Sequence, residues 1–133
     1  ESPYRNRSVE ENLDLFERGL WEKNKLPFDN KLLFAPESFP LPVAGELKRV
    51  HGLTVNMGSG REETISYRRK KFAADVETME GAAFHYACID ASVPFLQIRS
   101  ISNYVEPRDT SRWNIKMAID ELNQYLINIF EKL

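Results

Sequence analysis

Two short stretches of this chain hold the residue types that could do chemistry on a sugar-linked base. Val76-Glu77-Thr78-Met79-Glu80-Gly81-Ala82-Ala83 sets a Met-Glu pair at the mouth of a small-residue segment. Gln97-Ile98-Arg99-Ser100-Ile101-Ser102-Asn103 closes an apolar run with Arg-x-x-Ser-Asn. One carboxylate can accept from two vicinal hydroxyls, and such charge-assisted bonds are roughly twice as strong as neutral ones. Glu80 can therefore grip a ribose diol while Met79 covers the sugar face. Its plainer role is a first-turn carboxylate favoured by the helix dipole. Arg99 is a cation in an apolar run, costly to bury alone, so it requires a carboxylate, a ligand or a watery pocket. Ser102 and Asn103 fall at a strand's carboxyl end, where open α/β sheets place their ligands. There the Asn103 carboxamide can read a purine edge, although asparagine is also a common turn residue.

The elements that must position these groups follow from periodicity and punctuation. Ser8-Val9-Glu10-Glu11 reads as a capping box, and Leu13, Phe16 and Leu20 give a helix from Val9 to Lys23 one apolar face. Pro27-Phe28-Asp29-Asn30 ends it, and prolines 36, 40 and 42 make an extended connector to Gly45. Val50 to Asn56 is β-prone, and Gly58-Ser59-Gly60 separates it from a charged helix over Glu62 to Phe72. That helix carries Arg68-Arg69-Lys70-Lys71, read as a solvated face rather than a phosphate patch. A strand over Ala74 to Thr78 precedes a helix over Glu80 to Ser92, whose Gly81 lets a ligand approach the backbone. Phe95 to Ser102 reads as a central strand covered on both faces. Asp109-Thr110-Ser111 offers caps for a last helix with Ile115, Ile119, Leu122, Leu126, Ile129 and Leu133 as its core stripe. Alternating strands and helices favour an α/β sandwich with a mixed, largely parallel sheet, although the strands are too few to cover one comfortably.

Composition narrows the classes. The 133 residues, 42% hydrophobic, suit one compact domain or part of a larger one. A net charge of -2 supplies no field for nucleic acid or an acidic membrane. No apolar run approaches the ~20 residues a membrane span needs. The single cysteine, Cys88, excludes an internal disulfide, suits a reducing cytoplasm and reads as a buried, inert thiol. His51 and His85 have no metal-ligand spacing with it, so no metal site is expected; His85 reads as a helix residue with a satisfied ring. Gly58-x-Gly60 lacks the spacing of a dinucleotide or phosphate loop. The chain opens on Glu1 rather than methionine, as a fragment or processed chain would.

Taken together, several segments resemble the C-terminal half of the nucleoside phosphorylase and nucleosidase superfamily, and within it the futalosine hydrolases of the futalosine route to menaquinone. They are Gly52 to Asn56, Val76 to Phe84, and Phe95 to Arg108 with its Ser-Asn-Tyr-Val-Glu-Pro-Arg run, joined by Gly19-Leu20-Trp21 and Lys25-Leu26-Pro27-Phe28. The resemblance implies one nucleoside phosphorylase-like domain, a three-layer α/β/α sandwich of which residues 1–133 form the C-terminal part. It also implies roles. Glu80 holds the ribose hydroxyls, Met79 packs on the sugar, and Arg99 orients Glu80 or the attacking water. Ser102 and Asn103 place and activate the base, with Asn56, Thr64 and Ile65 beside the purine. Related adenine nucleosidases have aspartate at the position of Asn103. A carboxylic acid can protonate adenine N7, whereas its anion would repel the carbonyl of a 6-oxopurine; an amide donates to O6 or N7 instead. Unpaired polar groups discriminate strongly, so Asn103 favours a hypoxanthine-type base.

The reaction so implied is hydrolysis of an N-glycosidic bond without cofactor or metal, driven by leaving-group stabilisation and water positioning. The family's water-activating glutamate lies on an early segment that nothing here matches, so this chain is expected to hold a partial site and to be inactive alone. A sheet edge left open could be covered by another copy, by swapped elements or by the absent segment; a homo-oligomer, dimer or higher, is the expected assembly. The rivals are a purine nucleoside phosphorylase, another purine nucleosidase, and a non-catalytic nucleoside-binding or assembly module.

Overall fold

The structure, a computed structural model, describes residues 13–36 and 47–132. Its centre is a βαβ unit. Strand β1 (Gly52–Thr54) leads through helix α1 (Glu62–Phe72) to strand β2 (Val76–Thr78), which pairs parallel to β1 with Gly52 opposite Val76 and Thr54 opposite Thr78. Backbone bonds continue the pairing at both ends, from Val55 N to the Thr78 carbonyl (2.9 Å) and from Asp75 N to the His51 carbonyl (2.9 Å). Helix α2 (Gly81–Asp90) follows β2 directly, and helix α3 (Ile115–Phe130) closes the described chain after a 3₁₀ turn at Thr110–Arg112. Among the described residues this is an α/β arrangement with a two-stranded parallel sheet.

The α1 boundaries match the sequence expectation, and charge explains them. Glu62 and Glu63 occupy its first turn and Arg69, Lys70 and Lys71 its last, each sign complementing the helix dipole. Its one buried residue is Ile65. The basic run is only partly solvated: Arg69 and Lys70 are exposed, while Arg68 turns into an ion pair with Glu77.

Three expectations are corrected. The first concerns the helix over Val9 to Lys23. Residues 9–12 lie outside the described part, together with the capping box, and from Leu13 onward the chain makes turns instead. The Asp14 carboxylate captures the amides of Phe16 (3.0 Å) and Glu17 (2.8 Å), and Gly19 adopts φ 68°, so helical bonding does not propagate. The spacing of Phe16 serves an aromatic cluster rather than a helix face. Phe16 and Trp21 pack edge-on against Phe28, and Trp21 packs edge-on against Tyr86 of α2 at 4.7 Å.

The second correction is Phe95 to Ser102, which forms no strand. Among the described residues, Phe95–Ile101 make no ladder bonds to β1 or β2, and the Ser102 carbonyl accepts from Asn114 N (2.8 Å). An apolar run becomes a strand only where a neighbour takes its N–H and C=O groups. Phe95 is buried all the same, against the rings of Phe84 and His85.

The third is the start of α3. Asp109 caps the 3₁₀ turn, accepting from Ser111 N, and Asn114 caps α3, accepting from Met117 N (3.2 Å). Ala118 and Ile129 are the buried positions of α3, whereas Ile115 and Ile119 of the expected stripe are about half exposed; Leu133 is outside the described residues. The connector after Pro36 is likewise outside them. Among the described residues the buried apolar side chains are Val55, Ile65, Phe95, Ala118 and Ile129.

Helix α1 ends on Ala73 in the left-handed region (φ 47°, ψ 36°), its N–H bonded to the Arg69 carbonyl. A Cβ is strained there, and glycine is the residue that terminates helices this way without cost. Ala73→Gly is expected to raise stability by up to about 1 kcal/mol, seen as a higher urea midpoint with unchanged slope.

Candidate functional site

Thr54, Thr78, Met79 and Glu80 lie at the carboxyl ends of β1 and β2, the end of a parallel sheet at which ligands bind. Among the described residues, Ser102 and Asn103 instead bond only within their own segment and to Asn114. Thr54 and Thr78 face each other in register, their hydroxyl oxygens 3.2 Å apart. Both reach the start of α2: Thr54 Oγ1 accepts from Ala82 N (2.7 Å) and Thr78 Oγ1 from Gly81 N (3.3 Å). Two free amides at a helix start thus find partners on the sheet itself. Glu80 is the N-cap residue by position, yet its side chain makes no capping bond, and it is exposed; Met79 beside it is 55% exposed.

Gly81 serves the packing of a small-residue helix on the strands. It is buried, and a Cβ there would lie 2.8 Å from Thr78 Oγ1 and 3.3 Å from both Gln97 Oε1 and Thr54 Oγ1. Close packing of helix on strands requires the glycine. The same contact brings Gln97 to the start of α2, and Gln97 Oε1 accepts from Arg99 Nε (3.2 Å). Arg99 is exposed, so the expected problem of a cation buried in a strand does not arise.

Asn103 is half-buried and engaged by its neighbours. Ser102 Oγ donates to its Oδ1 (2.7 Å), and its Nδ2 donates to the Tyr104 carbonyl (3.0 Å). A carboxamide carries two N–H donors, so this pattern uses one of them. Asn56 is exposed just beyond β1, Thr64 is half-buried in the first turn of α1, and the neighbouring Ile65 is buried. A broad open concavity of about 2510 Å³ takes Asn56, Thr64, Met79, Gln97, Arg99 and Arg108 into its lining. Glu80, Ile65, Ser102 and Asn103 are outside that lining. The space exceeds the ~300–1,000 Å³ of a typical small-molecule pocket, so one small molecule would fill only part of it.

His85, on α2, packs edge-on against Phe95 at 4.8 Å. Burial pushes its imidazole below the ordinary value; a backbone hydrogen bond with Leu33 opposes that shift, and the nearby Arg99 guanidinium adds to it. Among the described residues, no group of three His, Cys, Asp or Glu side chains is placed to hold a metal ion. No helix there is long and apolar enough to cross a membrane.

The chain is similar to a futalosine hydrolase. It is 38% identical over 93 residues to the Futalosine hydrolase of Thermus thermophilus, a match covering 63% of this chain and 41% of that protein. The chain therefore spans about two-fifths of the curated relative it matches. No protein-family model matches it, and no solved structure does.

Sequence reasoning passed over Thr54, Thr78 and Gln97 as individual residues, although they determine how β2 enters α2. The available signal was a strand-end threonine ahead of a small-residue helix, repeated on both paired strands.

Two outcomes follow from this geometry. Gly81→Ala is expected to destabilise by about 1–3 kcal/mol, because strand side chains meet the new methyl group; chemical denaturation measures it. Since the folded His85 binds its proton less readily than the ordinary 6.5, the unfolded chain is the more protonated below that pH. The His85 contribution to stability is thus complete above pH 6.5 and is lost as pH falls through the lowered folded value. Melting temperatures of wild type and His85→Gln between pH 7 and roughly 5 should converge as the pH falls.

Proposed function

We propose that this chain is part of a purine nucleosidase that hydrolyses the N-glycosidic bond of futalosine and releases hypoxanthine, in the futalosine route to menaquinone. The observation that carries the proposal is the 38% identity to a futalosine hydrolase. The position of Met79-Glu80 between the end of β2 and the start of α2 supports it, since an exposed carboxylate that makes no capping bond can accept from a ribose diol. On this reading the chain forms the C-terminal part of a three-layer α/β/α sandwich. Its partner is a small purine nucleoside rather than nucleic acid or membrane, no cofactor takes part, and the protein is a cytoplasmic homo-oligomer.

The roles are then specific. Glu80 binds the ribose hydroxyls and Met79 covers the sugar. Arg99, exposed and tethered to Gln97, orients the Glu80 carboxylate or the incoming water. As the bond from C1′ to the base stretches, the sugar gains oxocarbenium character and negative charge builds on the purine. Asn103, with Ser102 bonded to its amide oxygen, donates an N–H to that charge at O6 or N7. Asn56 and Thr64, which line the open concavity, flank the base. Water adds at C1′ on the face opposite the departing purine, and no covalent enzyme intermediate is needed.

The test is release of hypoxanthine from futalosine by the protein as its gene encodes it, followed by chromatography with and without inorganic phosphate. Phosphate-independent release is expected. A rate proportional to phosphate would make the protein a phosphorylase, and binding without turnover would make it a nucleoside-binding module. Asn103→Asp should lower hypoxanthine release by about 10²-fold, as loss of one charge-stabilising donor does elsewhere, and should improve cleavage of adenine nucleosides. Unchanged rates on both bases would refute the role given to Asn103.

A further inference from the structure

A polar cluster outside the residues assigned above joins β2 to the loop between β1 and α1. Glu77, in the middle of β2, accepts from Ser59 N (2.5 Å) on one carboxylate oxygen and from Ser59 Oγ (2.7 Å) on the other. Arg68 Nη1, reaching back from α1, lies 3.2 Å from Glu77 Oε2, 2.8 Å from Ser59 Oγ and 2.9 Å from the Met57 carbonyl. The two charged side chains are 12% and 13% exposed. A charge pair this far from water loses hydration that apolar side chains of equal volume would not lose. Bulk stability is therefore a poor account of it. What the cluster does specify is the shape of the Met57–Gly60 loop, held at the Met57 carbonyl and at Ser59 by one side chain from α1 and one from β2.

That loop touches the candidate site at both ends. Asn56 precedes it, and the Gly60 carbonyl accepts from Arg108 N (3.1 Å) while the Arg108 side chain lies against Gly60. Arg108 belongs to the Ser-Asn-Tyr-Val-Glu-Pro-Arg run that starts at Ser102 and Asn103. We propose that Glu77 is a positioning residue. Through Ser59 and Arg68 it holds the Met57–Gly60 loop in the one shape that keeps Asn56 and Arg108 on the concavity they both line. The proposal rests on the nucleosidase reading and adds to it a group that touches no substrate. Its effect falls on nucleoside affinity, because a misplaced loop weakens ground-state and transition-state contacts alike.

The experiment compares wild type, Glu77→Gln, Ser59→Ala and, as a control, Asp14→Asn, in the protein as its gene encodes it. Asp14→Asn cuts a different ion pair, that with Lys31 at 2.9 Å. Amide hydrogen exchange over residues 57–60 and the steady-state constants for futalosine hydrolysis are both read. Glu77→Gln and Ser59→Ala should speed exchange in the loop and raise KM by about tenfold or more with kcat little changed, whereas Asp14→Asn should do neither. If Glu77→Gln does not fold, Ser59→Ala carries the test, since it removes one hydroxyl and leaves both charges in place. A lowered melting temperature with normal loop exchange and normal KM would overturn the proposal by showing a merely structural pair. Wild-type protein that releases no base from futalosine would refute the nucleosidase reading and the affinity claim with it. Active wild type with an unchanged KM in both variants would refute the positioning role alone.

Discussion

The pair of threonine hydroxyls across the parallel ladder is the interaction on which the rest of this structure depends. Register places Thr54 opposite Thr78, and their oxygens together receive the first amides of α2. One consequence is direction: α2 must leave the sheet at the point where β2 ends, with only Met79 and Glu80 between them. A second is tolerance, for the helix comes so close to the strands that position 81 accepts no side chain. A third is release of Glu80 from capping duty. Where the strand side chains satisfy the helix start, the carboxylate at the N-cap has no backbone obligation of its own. The local chemistry available to a ligand therefore comes from how the sheet meets the helix, one step before any catalytic residue is named.

Around this junction the chain is tied together by interactions of different kinds. The segment containing Phe16, Trp21 and Phe28 is joined to α2 by aromatic edges on Tyr86, and to α1 by an ion pair from Glu17 to Lys71. Lys71 shows why the basic run of α1 is not simply a wet face: its ammonium also bonds the Tyr67 hydroxyl and lies over the Phe72 ring. Burial alone would lower the proton affinity of that amine, and the bonds to Glu17 and Tyr67 reverse the sign. Apolar contact and charge thus share the work of assembly, with few side chains fully buried.

How much could be read from the sequence depends on whether the deciding partner is local. Helices α1 and α2 are legible because the end charges of α1 and the small residues of α2 lie within the elements themselves. Strands β1 and β2 are legible as short β-prone runs, although their pairing joins residues 24 positions apart across α1. The run Phe95 to Ser102 is not legible in this way, since its composition says that it is buried but not what it pairs with. Residues 13–23 are not legible either, for the opposite reason: Asp14 and Gly19 act within their own turn and override an apolar spacing that a helix and an aromatic cluster share. In the candidate site, Glu80, Met79, Arg99, Ser102 and Asn103 stood out by type and order. Glu77, Ser59 and Arg68 did not, because their relation spans 9 and 18 positions and exists only in three dimensions.

Helix α3 has two apolar sides. One side buries Ala118 and Ile129, while Ile115, Ile119, Ile127 and Phe130 remain half or more exposed. An uncovered hydrophobic strip of this kind favours adhesion to any similar surface it meets. Colloidal behaviour of the isolated chain should then be set by crowding on that strip, with dilution, detergent or chaotropic salt changing its sedimentation more than changes in buffer charge would.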